Sequence, residues 1–351
     1  MQEYWIKPRI KRWKIIVSLA SLLLFISIIS SSMVGAAYVH PLDTLFIIFK
    51  KISFSNFHYA VNETHETIIM DVRLPRVIAE ALVGMALSLA GVTYQAIFRN
   101  PMADPYVIGS SSGAALGASL AIVFGIGYGI FGLNSIPLFA FFGSFLPVLL
   151  VYKISRVGTR VPVTTLLLSG IAISIFLSAL VSLTLIFAKE ELRGIFFWLL
   201  GGFSLTNWMD VYSILPFLLI GLFGIFYYAR DMNVMLTGEE SAQHLGVSVE
   251  LVKRRLILMA SFLTASAVSV SGLIGFVGLI IPHMVRILVG PDHRILVPTA
   301  SLTGAIFLIF ADSIARVILL PQELPVGIIT ALAGGPFFLY LLKKKRDEYS
   351  L

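Results

Sequence analysis

The chain has 351 residues, 58% of them hydrophobic and 13% charged, where a soluble domain carries roughly 25% charged residues. That deficit excludes a protein whose surface mostly faces water, and the lack of cysteine excludes disulfides, thiolate metal sites and thiol nucleophiles. The net charge of +7 suits the cytoplasmic excess of lysine and arginine in membrane proteins, and no basic, aromatic-interleaved soluble segment points to nucleic acid.

A spanning helix needs about 20 predominantly apolar residues rising about 1.5 Å each. On that measure about ten crossings are predicted: 14–38, 74–98, 106–127, 136–153, 163–187, 208–229, 252–271, 275–289, 296–317 and 325–342. The first follows basic residues from Lys7 to Lys14 and is too long for a signal-peptide core, so it reads as an uncleaved helix. The run 106–152 holds two crossings, broken at Asn134-Ser135-Ile136-Pro137. The apolar piece 195–203 is short and suits a partial helix at a membrane face. The fold class is therefore an all-α integral membrane protein, with residues 1–351 as one transmembrane domain.

Charge placement orients it. With the N-terminus inside, about nineteen lysines and arginines fall on the inner side and about seven on the outer. Both termini are thus expected in the cytoplasm. Three polar stretches remain: an outer loop at 39–72, an outer segment at 188–207 containing Trp198, and an inner loop at 230–251.

Arg73-Leu74-Pro75-Arg76 opens the second crossing. Proline suits a first helical turn, and arginines three apart share a face. Cations on the outer side run against the positive-inside bias, so Arg73 and Arg76 either snorkel to the interface or dock an acidic partner. Asn100-Pro101-Met102-Ala103-Asp104-Pro105 reads as a turn leading into a helix, with Asp104 able to cap and Pro105 first in the helix. Gly109, Gly113 and Gly117 then make a small-residue stripe for close helix approach.

In the inner loop, Thr237 and Glu240 have capping-box spacing, and Gly246 is a plausible stop for a helix of about two turns. A short helix bearing small residues and acids is shaped either for another protein to grip or for plain solvation. Between Ser271 and Arg286 the glycines Gly272, Gly275 and Gly278, with Pro282, suggest an unwound or tightly packed hinge. Asp312 and Arg316, four apart, can pair, or Arg316 can face outward beside Arg73 and Arg76. There is no GxxxxGK[ST] phosphate loop, so the chain alone is no P-loop ATPase. Intramembrane ionisable residues are few, chiefly Glu80, Asp104, His283 and Asp312, fewer than a proton-coupled carrier usually has.

The ordered set Arg73-Leu74-Pro75-Arg76, Arg99 to Pro105, Leu236 to Gly246, Gly275-Phe276-Val277-Gly278-Leu279 with Pro282-His283, Asp312 with Ala315-Arg316, and Glu323-Leu324-Pro325-Val326-Gly327 resembles the permeases of type II ABC importers for vitamin B12, ferric siderophores, haem and related metal chelates. The resemblance covers about Arg73 to Leu342. It implies ten helices per chain, a homodimer, two ATP-binding subunits beneath and an extracytoplasmic substrate-binding protein above. ATP and Mg would belong to the partner ATPase; no cofactor or metal is expected on this chain. The resemblance implies a coupling loop at 233–247, with Leu236, Gly238, Glu239, Glu240, Ala242, Leu245 and Gly246 at the ATPase contact. Ala242 is expected to let a cleft wall approach closely. It also implies that Arg73, Arg76 and Arg316 receive acidic residues of the binding protein. The translocation path would run along the dimer axis near the fifth, eighth and tenth helices. Ferric siderophore and cobalamin lead as cargo, with haem, molybdate or tungstate behind. A stand-alone carrier or channel fits the helix count alone, and a membrane-embedded enzyme would have to rest on His283.

Overall fold

The structure is a computed structural model that describes residues 2–35, 37–53, 62–126 and 135–349. The expected break at Asn134 and part of the outer loop 39–72 lie outside the described residues. Among those residues the chain is helical, with no strand. α1 (Gln2–Met33), α2 (Pro41–Ser53) and α3 (Glu63–Thr67) lead through a wide π-turn, Ile68–Arg73, into α4 (Leu74–Ile97). Then follow α5 (Ser110–Val123), α6 (Ser135–Ile154), α7 (Val163–Phe187), α8 (Leu192–Leu200) and α9 (Trp208–Tyr227). The connection after α9 carries α10 (Ala229–Met235) and α11 (Glu239–His244). α12 (Val249–Ser271), α13 (Val277–Val289), α14 (His293–Val317) and α15 (Val326–Tyr349) complete the chain.

Ten of these match the ten predicted crossings. Seven described helices contain stretches long and apolar enough to span a bilayer. α5 and α13 are apolar but only 14 and 13 residues long, about 20 Å each at helical rise. Irregular chain at 98–109 and 272–276 precedes them. Such backbone is tolerated at membrane depth only when protein covers it. Here Ala103, Pro105, Ile108 and Ile274 are buried. α12 opens with four charged residues, Glu250, Lys253, Arg254 and Arg255, and so starts from a polar end.

α4 is the hub, with 89% of its spanning window buried against 11% for α7 and 17% for α15. It packs on α9, α12, α13 and α14, while α5, α6 and α7 form a second group joined through α12. Close approach explains the small residues on α4. A Cβ on Gly91 would fall onto the Gly278 carbonyl of α13, and one on Gly84 onto the Gly304 carbonyl of α14. Neither helix can yield without shifting backbone. Gly91→Ala is therefore expected to lower stability by about 1–3 kcal/mol through overpacking. Gly194, with open space around it, should accept alanine without loss. Thermal unfolding in detergent checks the pair; equal melting temperatures would contradict the close approach.

Candidate functional site

Three arginines expected as an exposed outer rim are buried: Arg73, Arg76 and Arg316 are 5%, 7% and 3% accessible. The expectation of free cations there is corrected, and the reason is local. The last carbonyls of α1 and the residues just after it lack intrahelical donors, and two guanidinium groups supply them. Arg73 donates from Nη1 to the carbonyls of Ser32 and Met33, both at 3.2 Å, and from Nη2 to that of Ala37. Arg316 donates from Nη1 to the carbonyls of Ser31 and Val34 at 3.3 and 3.0 Å. Cations at a helix C-terminus also oppose its dipole.

Arg76 makes different contacts. It grips Asp312 with two hydrogen bonds, Nε to Oδ2 at 2.9 Å and Nη2 to Oδ1 at 3.0 Å. Its Nη1 donates to Glu323 Oε2 at 2.8 Å. Arg316 Nε lies 2.9 Å from the same Asp312 Oδ2, settling the question of pairing along α14. Glu80, wholly buried, sits 3.5 Å from Arg76 and 3.9 Å from Arg316. Glu323 also accepts from Ser204 Oγ at 3.1 Å. One ionic cluster thus joins α4, α14, the turn before α15 and the segment after α8. Glu80 was visible in the sequence only as an intramembrane acid. Glu323 was visible only as part of a motif, because nothing in sequence distance brings 76 and 323 together.

In the loop between α9 and α12, Gly238 at φ +116° and Gly246 at φ +88° bracket α11. Gly238 is the N-cap, with no side-chain cap. The expected Thr237–Glu240 capping box does not form, because Thr237 Oγ1 donates instead to the Val234 carbonyl at 2.8 Å. Gly246 closes the helix as expected: its N–H bonds Gln243 O, and the Val247 N–H bonds Ala242 O. Ala242 is fully buried in the chain's own core. It therefore faces inward, correcting its expected place at a partner's cleft wall. The residues left open are Leu236, Thr237, Glu240, Ser241, Gln243, His244, Leu245 and Gly246, with Leu245 69% exposed. Glu239 is half-buried and pairs with Lys253 at 3.2 Å.

α10, before this loop, is pinned to α14. Asn233 Nδ2 donates to Asp292 Oδ1 at 2.8 Å, and the His293 N–H donates to Asn233 Oδ1 at 2.8 Å. Partial burial works to raise the Asp292 carboxyl, but hydrogen bonds from Arg294 and Asn233 outweigh it and hold the group below the usual range.

The turn 100–109 also differs from expectation. Asp104 Oδ1 accepts from the Tyr106 N–H at 2.8 Å, making a local turn rather than a helix cap. The helix starts only at Ser110, so Pro105 precedes it and Gly109, at φ +89°, is its N-cap. Gly113 and Gly117 do pack against α6, where a Cβ would meet the carbonyls of Gly143 and Phe139. Gly109 supplies a turn instead. Of the hinge glycines, Gly272 ends α12 at φ +67° against the Trp198 carbonyl, and Gly278 packs on Pro105 and Leu87. Gly275 stands in open space, and Pro282 is buried inside α13.

The model of the FecCD transport family matches residues 22–344. The cobalamin import system permease protein BtuC of Halobacterium salinarum is 46% identical, over 82% of this chain and 76% of its own. The hemin transport system permease protein HmuU of Yersinia pestis is 40% identical, over 83% and 87%. A solved structure described as an inward-facing conformation of a metal-chelate type ABC transporter superposes with a TM-score of 0.80 at 33% identity, covering 94% of this chain and 99% of that one.

Proposed function

The chain belongs to the FecCD transport family, and from that premise we propose that it is the permease subunit of an ATP-driven importer of metal chelates. Two copies would form the translocation pathway. ATP hydrolysis would reside on two separate subunits, since this sequence lacks a phosphate loop. An extracytoplasmic substrate-binding protein would deliver cargo. The observation that carries the reading is the inner loop: α11 is seated on the core by Ala242 while Leu236, Glu240 and Leu245 stand exposed. A face fixed from behind and open in front is what a force-bearing contact with another chain requires. The similar permeases are named for cobalamin and for haemin, which supports the chelate class. Within it we propose ferric siderophore or cobalamin, with haem, molybdate or tungstate less favoured.

In the dimer reading, α7 and α15 are the candidates for the contact. These peripheral helices carry exposed Ile171, Ile175, Phe176, Leu332 and Leu339, which lipid or a second copy could cover. Docking of the binding protein at Arg73, Arg76 and Arg316 remains part of the proposal. Because all three are occupied internally, an acidic lobe there would have to exchange with α1 carbonyls or with Glu323.

The test joins assembly to topology. Tagged chain solubilised from its native host should co-purify an ATPase and a binding protein. Cysteine at Gln243 should react with an impermeant thiol reagent only from the cytoplasm, and cysteine at Asn62 only from outside. Labelling of Gln243 in intact cells would reverse the topology, and a chain purified without any ATPase would favour a stand-alone carrier or channel.

A further inference from the structure

Behind the exposed inner loop lies a charge with no part in the motifs. Lys253, in the second turn of α12, is the only lysine among the described residues that is this buried, its side chain 2% accessible. Its ammonium meets three segments at once. It lies 2.7 Å from Glu250 Oε1 on its own helix and 3.2 Å from Glu239 Oε2, the first residue of α11. It donates at 2.9 Å to the carbonyl of Val161, in the connection that opens α7. The same Val161 offers its N–H to Glu250 Oε2 at 3.1 Å. Residue 161 is thus held from both its donor and its acceptor by a pair of opposite charges.

A buried ammonium needs its partners, because leaving it uncompensated costs far more than the pair itself contributes. The three segments are therefore held to move as one, or else strand a charge. Exposed pairs of the same spacing would slip freely. α7 is among the least buried crossings, so contacts within its own chain hold little of it. Its inner end is tied through residue 161 to the first residue of the loop helix.

We propose that Lys253 is the positioning residue that carries displacement of the inner loop helix to α7 and α12. This inference rests on the importer reading above for its functional consequence, but its geometric content stands on this chain alone.

Two measurements separate these layers. In the purified chain without any partner, Lys253→Met should raise hydrogen exchange at 157–163 and at 239–246 together, while exchange in α4 and α14 stays unchanged. Exchange rising in only one of the two segments, or in neither, would overturn the strut whatever the protein does. In the full complex in proteoliposomes, Lys253→Met should leave ATPase subunits bound and hydrolysing. Cargo moved per ATP should fall about tenfold, within the range of ordinary coupling energies. Glu239→Gln, at the half-exposed end where folding is less at stake, should give a smaller fall in the same ratio. The double variant should fall no further than Lys253→Met, since both break one linkage. Spin labels at Gln243 and Arg160 should keep their separation through the ATP cycle in the natural chain and lose that constancy in Glu239→Gln. A normal transport-to-ATP ratio in both single variants, or additive losses in the double, would overturn the role. Should Lys253→Met fail to fold, Glu239→Gln and the spin-label distance decide alone. Absence of any bound ATPase in the natural chain would count against the importer reading and not against the strut.

Discussion

Asp312→Ala is expected to destabilise the chain by roughly 3–5 kcal/mol, the cost of stranding a buried charge by removing its partner. Asp312 is the centre of the outer cluster. It takes two hydrogen bonds from Arg76, and its Oδ2 lies 2.9 Å from Arg316 Nε, with almost none of its side chain accessible. Deleting it leaves two guanidinium groups, 7% and 3% accessible, with Glu80 at 3.5 and 3.9 Å, Glu323 still on Arg76 at 2.8 Å and the carbonyls of Ser31 and Val34 close to Arg316. Arg316 also anchors α1, so the first helix should loosen from α14 in the same step. The measurement is the melting temperature and the monodisperse fraction in detergent. Glu323→Gln provides the contrast: its side chain is one-third exposed, so water can replace it and the loss should stay near that of a surface pair, about 0–1 kcal/mol. A double change, Arg76→Met with Asp312→Leu, should recover part of the loss, since well-packed apolar groups can replace a buried pair. If Asp312→Ala melts like the natural chain, the cluster is open to water and the burial argument is wrong.

The crossings were legible because each is a long apolar run bounded by charge or proline, and hydropathy reads that directly. α4 shows where the reading stops. Its sequence, Leu74–Ile97, looks like any other span, yet it is the buried hub, and only the small residues Gly84 and Gly91 hint at helices pressed against it. Polar partnerships were mostly illegible. Arg73, Arg76 and Arg316 were identifiable as outer cations, but their partners lie between 36 and 285 residues away. A periodicity argument reaches three or four. Arg76 and Glu80, or Asp312 and Arg316, are the pairs such an argument can find. Caps failed for a related reason. Thr237 and Glu240 have the right spacing, but Gly238 at φ +116° sets the helix start one residue later. The α11 faces could not be assigned either, because six residues hold too few turns to show which side is apolar.

That last point decides how the coupling loop must be tested. Ala242→Trp would drive an indole into a fully buried position, where overpacking costs about 1–3 kcal/mol or more. It would unseat α11 from its own chain, so a loss of transport would say nothing about a partner. Leu245 is the informative position. It is the C-cap of α11 and is 69% exposed. Leu245→Asp should therefore leave folding within about 0.5 kcal/mol of the natural chain, as surface changes do. Against a covering subunit it should place a carboxylate in an apolar contact. That should weaken ATPase binding by about 2 kcal/mol, or about thirtyfold in Kd. Titration of the isolated ATPase onto detergent-solubilised chain measures the second quantity, and melting the same sample measures the first. The expected result is a lost complex on an intact fold. An unchanged Kd would mean that Leu245 faces only solvent, and the loop 233–247 would then be an ordinary surface helix with its force-bearing role withdrawn.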